Sequence, residues 1–108
     1  MILQLIPIAI NYQDKKIYHF VDKEEIFLHV NFTNARPLYD LQTLLCSYLN
    51  IDPNWVNIKL ADIYKTPDNL EYALYGVLVP FDTPVINGGK WVQDETSSLV
   101  HAVRRELL

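Results

Sequence analysis

The chain has 108 residues, half of them hydrophobic and a fifth charged, with three glycines and no Ser/Gly-rich or Pro-rich tract. That balance excludes a disordered segment and sets the expectation of one domain, 1–108, able to bury a core without staples. A net charge of −4, with nine basic residues scattered along the chain, argues against nucleic acid, whose binding draws on Lys and Arg displacing counterions.

Ile2 to Tyr12 carries Leu3 and Leu5 on one face and Ile6, Ile8, Ile10 and Tyr12 on the other, as a strand covered on both sides does. Pro7 argues for an edge or a bulge there. Met1 to Ile10 lacks the basic start and small-residue cleavage site of a signal peptide and falls short of the roughly 20 residues that span a bilayer. A soluble cytoplasmic protein with no membrane contact is therefore expected. A polar turn, Gln13 to Lys16, leads to a second strand, Ile17 to Val21. A third strand alternates Ile26, Leu28, Val30 and Phe32 against Phe27, His29 and Asn31.

Thr33 or Asn34 fits a helix cap, with Pro37 in the first turn. Leu38, Leu41, Leu44, Leu45, Tyr48 and Leu49 then form one helical stripe, and Asn50 suits a left-handed terminator before Pro53. Cys46, the single cysteine, stands in that stripe as a buried inert thiol; one cysteine excludes an internal disulfide and suits a reducing compartment. Strands follow at Ile58 to Tyr64 and at Tyr72 to Pro80, separated by the turn Thr66-Pro67-Asp68-Asn69. The second is apolar on both faces, which points to the centre of the sheet. Gly76 inside it marks a bulge or a close approach. A short strand holds Trp91, and Asp94 or Thr96 caps a final helix with the stripe Leu99, Val100, Val103, Leu107. The class is α+β, a mixed sheet of five or six strands with two helices.

This order of elements resembles the Nudix fold, with Asn50-Ile51 in the place of the Gly-aliphatic pair that ends its amphipathic helix. Trp91 with Asp94-Glu95 resembles the family's Trp followed by acidic residues. Its catalytic box is Gly, five residues, Glu, seven residues, Arg-Glu-aliphatic, one residue, Glu-Glu, one residue, Gly-aliphatic. In that register His29 falls at the first Gly, Ala35 at the first Glu, Thr43 and Leu44 at Arg-Glu, and Ser47 and Tyr48 at Glu-Glu. Only Leu45 and Ile51 agree. The missing carboxylates are the ones that hold divalent cations on a diphosphate and activate water. The resemblance therefore implies a non-catalytic, Nudix-like binding or assembly module with no metal and no cofactor. The alternative is a divergent metal-dependent phosphohydrolase of nucleoside-diphosphate type, using carboxylates outside the helix.

Asp62, Glu71, Asp82, Asp94 and Glu95 are the carboxylates such an enzyme would gather; turn and cap chemistry is the plainer account of them. His19, His29 and His101 lack the spacing of a helical metal site. Ser97-Ser98 reads as a helix start rather than a nucleophile. The binding reading rests on the aromatics of the second half, with Trp55, Phe81 and Trp91 as contact residues for a protein or a small nucleotide-like ligand. The loops Asp52 to Val56, with Trp55, and Phe81 to Lys90 are the candidate segments for that surface. The competing reading buries Trp55 under the helix.

Overall fold

Because both faces of Ile2–Asn11 are apolar, this strand, β1, can be covered on both sides, and the sheet is built around it. The structure is a computed structural model that describes residues 2–23, 28–31, 37–93 and 97–108. One edge of β1 pairs in parallel with β5 (Glu71–Pro80), from Ile2 opposite Tyr72 to Ile10 opposite Pro80. The other edge is shared. β3 (Leu28–Asn31) pairs antiparallel with Ile2 to Leu5, and β2 (Lys16–Val21) pairs antiparallel with Ile8 to Asn11. β4 (Ile58–Lys65) lies outside β5, and β6 (Lys90–Val92) lies outside β2, completing a mixed six-stranded sheet in the order β4-β5-β1-β2-β6.

The central strand is thus β1, not the Tyr72–Val79 segment. Alternation reports that both faces are covered, which holds for both strands; position in a sheet depends on distant pairing that alternation does not record. Pro7 sits in this central strand without being an edge residue. It falls between the pairings of Ile2–Leu5 with β3 and of Ile8–Asn11 with β2, and lies opposite Val77 of β5.

The two helices cover opposite faces. α1 (Pro37–Tyr48) and the adjoining Leu49 lay Leu41, Leu45 and Leu49 on Leu3, Leu5 and Ala9 of β1 and on Ala73, Val77 and Val79 of β5. α2 (Ser98–Leu107) lays Val100 and Val103 on Ile6, Ile8 and Leu74, which alternate with the first set and so point the other way. Fully burying each such side chain is worth about 1.5–3 kcal/mol. Leu38, the first of the expected stripe, is half exposed beside Tyr39.

Gly76 is the close approach. A Cβ there would collide with Cγ1 of Val103, so this glycine lets α2 sit down on β5. The bulge is in the neighbouring strand, β4, between Leu60 and Asp62.

The cap of α2 is Ser97, whose Oγ accepts from the Val100 N–H at 3.4 Å. Asp94 and Thr96, the expected caps, lie outside the described residues, as do Thr33 and Asn34 before α1. At the other end of α1 the expectation fails. Asn50 is not among the left-handed residues, which are Lys15, Lys23 and Asn69 outside glycine. The helix is closed by the chain after β5 instead: Ile86 N–H donates to Tyr48 O at 2.8 Å, and the Asn87 side chain donates to Ser47 O at 2.6 Å. Helix-end carbonyls need partners, and a distant loop supplies them. No helix among the described residues is long and apolar enough to cross a membrane.

Candidate functional site: an aromatic cleft at the ends of β1 and β5

Parallel pairing brings the carboxyl ends of β1 and β5 to the same side of the molecule, where the chain leaves them in different directions. From β1 it turns within the sheet, through Gln13 and Asp14, into β2. From β5 it crosses the end of α1, where Asn50 N–H donates to Pro84 O at 2.9 Å and Leu49 bridges to Val85. The divergence leaves a cleft of about 630 Å³. Its third wall is a single 3-10 turn, Pro53–Trp55, capped by Asp52, whose Oδ1 accepts from Asn54 N–H at 2.9 Å.

Ile10, Leu78, Val79 and Pro80 give the cleft an apolar lining. Tyr12, Trp55 and Phe81 put three rings beside it, and Asn11, Gln13 and Asp82 add polar groups. Trp55 is 86% exposed and Tyr12 79%, so Trp55 does not pack beneath α1. Phe81 is steadied from the hairpin by Tyr18, with ring centroids 5.0 Å apart. The Tyr18 hydroxyl donates to Asp14 Oδ2 at 3.1 Å. That hydrogen bond, with burial and the Asp14 charge behind it, holds the phenol above its usual range.

Of the three expected contact residues, Trp55 and Phe81 come together and Trp91 does not. Trp91 lies edge-on to Phe20 at 5.4 Å, half-buried against the core on the α1 face. Its Nε1 is buried without a hydrogen-bond partner among the described residues. Two lining groups escaped the sequence argument. Alternation places Tyr12 on the first strand, although an aromatic at the last step before a polar turn is a signal of exposure. Asp82 stands in the sequence as a metal-type carboxylate, and only the fold makes it a neighbour of the cleft.

The described carboxylates do not converge. Glu71 opens β5 and pairs with Lys65 at 3.7 Å, while Asp82 follows the strand's far end, on the order of 30 Å away. Asp62 is exposed on β4. Asp94 and Glu95 lie outside the described residues. Among the described residues no group of three or more His, Cys, Asp or Glu side chains is placed to hold a metal. His19 is buried in β2 and His101 is exposed on α2, while the side chain of His29 lies outside the description.

The described polar side chains aligned with the box make structural hydrogen bonds. Thr43 Oγ1 donates to Tyr39 O at 3.0 Å, Ser47 Oγ donates to Leu44 O at 2.6 Å, and the Tyr48 hydroxyl donates to Asp22 Oδ2 at 2.7 Å. Cys46 is half-buried, its Sγ 3.5 Å from the Ile51 carbonyl. Ala35 lies outside the described residues. No protein-family model matches this chain, and no curated protein or solved structure matches it either.

Proposed function

We propose that this chain is a binding or assembly module, Nudix-like in the order of its elements and without the catalytic box, whose contact surface is the cleft at the ends of β1 and β5. The observation that carries this reading is the convergence there of Tyr12, Trp55 and Phe81, with Trp55 almost wholly in solvent. An exposed ring of that size on a capped turn is costly to leave bare and suits a partner. The volume lies in the range of small-molecule sites, roughly 300–1,000 Å³, so a small ligand fits as well as the edge of a protein. A single cysteine supports a reducing compartment, the cytoplasm, as the place where this module acts.

Titrating a library of small fragments while following the Trp55 indole resonance tests the reading. Binders should shift Tyr12, Trp55 and Phe81 together, and Trp55→Ala should weaken their binding while leaving the fold intact. Magnesium-dependent phosphate release from nucleoside diphosphate derivatives, lost in Asp82→Asn, would instead establish the divergent phosphohydrolase.

A further inference from the structure

Resting on that binding reading, we infer that the cleft takes a small molecule bearing an alkylated ammonium group, in preference to a phosphate-bearing one. Two features of the lining point the same way. The only charged group among the described lining residues is the carboxylate of Asp82, set next to Phe81. Three aromatic rings, Tyr12, Trp55 and Phe81, line the cleft, and a ring's negative face attracts a cation, Trp most strongly and then Tyr or Phe.

Phosphate recognition needs the opposite equipment: Lys or Arg, or the N-terminal amides of a helix. Neither α1 nor α2 contributes a lining residue, and Lys15 and Lys16 of the hairpin are outside the lining. A nucleotide would find rings for its base but only a carboxylate where its phosphates must go. An alkylated ammonium sheds its weakly held water readily and meets both the rings and Asp82.

The test uses the whole chain and four probes: choline, its uncharged isostere 3,3-dimethylbutan-1-ol, adenosine monophosphate, and a trimethyl-lysine peptide. The readout is the shift of the Tyr12, Trp55 and Phe81 ring resonances, with Tyr12 and Phe81 alone serving in the Trp55 variant. Choline should bind about tenfold more tightly than the isostere. Trp55→Ala should weaken it by about 3- to 30-fold. Asp82→Asn should weaken it less and flatten its salt dependence; both side chains are exposed, so neither change threatens the fold. Equal binding of choline and its isostere, or tighter binding of the nucleotide, would overturn the cation inference and leave the binding module standing. Tighter binding of the peptide than of choline would overturn the small-molecule assignment. If no probe moves Trp55 and the fragment library also fails, both readings fall.

Discussion

The two ends of the β1–β5 pair both carry aromatic rings and treat them in opposite ways. At the end where the strands begin, Tyr64 and Tyr72 stack with centroids 5.1 Å apart and planes within 9°. The Tyr64 hydroxyl donates to Oε1 of buried Gln4 at 2.7 Å. The rings, both half-buried, face each other, and the Tyr64 tip is bonded within the molecule. At the end where the strands finish, Tyr12 and Trp55 have their faces in water. Ring content alone therefore says little about function. What separates a structural cluster from a contact surface is whether ring and tip are satisfied by the chain itself.

The largest expected effect bears on what both ends share, the α1 face of the sheet. Leu41→Ala or Leu45→Ala removes a fully buried side chain and should cost about 2–5 kcal/mol in urea unfolding. A loss no larger than that of a surface change would mean that α1 does not hold the sheet. Next comes the closed end. Tyr64→Phe deprives buried Gln4 of a donor and should cost about 1–3 kcal/mol. A neutral result would make the tyrosine pair as dispensable as the open rings and erase the contrast.

A smaller effect appears at high pH. Burial, ahead of its charged neighbours, raises the Tyr64 phenol above its usual value, against the opposing influence of the Gln4 hydrogen bond. A folded pKa above the unfolded one means the contribution to stability is complete below about pH 10 and is lost as pH rises through the folded value. Ultraviolet titration should find this phenol ionising above the ordinary tyrosine value, and Tyr64→Phe should flatten the alkaline fall in stability. The smallest effect on stability belongs to the open end. Trp55→Ala should stay within about 0.5 kcal/mol of the parent protein; a drop of several kcal/mol would move Trp55 from the contact surface into the framework.

Local patterns carried most of the element order. The leucine stripe of α1, the two-sided strands and the turn at Thr66 to Asn69 are each legible over a few residues, because helix and strand periodicities repeat on that scale. Pairing is not local. Nothing within Tyr72–Val79 records that it lies one place away from the centre, and nothing near Asn50 records that Ile86 and Asn87 will take up the carbonyls of α1. The site was legible in the same partial way. Trp55 behind Pro53 and Phe81 after β5 stood out as loop aromatics, but their meeting with Tyr12 depends on the parallel register of strands some seventy positions apart. Trp91, expected on a short strand, packs half-buried against the core, because β6 pairs with β2 and sets it opposite Phe20.

The clasp between the β5–β6 connection and the end of α1 also governs how the molecule can open. The amide protons of Asn50 and Ile86 are held by carbonyls across that junction, so a separate excursion of the connection would leave the last carbonyls of α1 bare. In hydrogen exchange these two amides should therefore trade with solvent at a single common rate, set by a unit comprising the helix end and the connection. The segment carrying Phe81 would then share its breathing with the frame of the protein, and not with the surface.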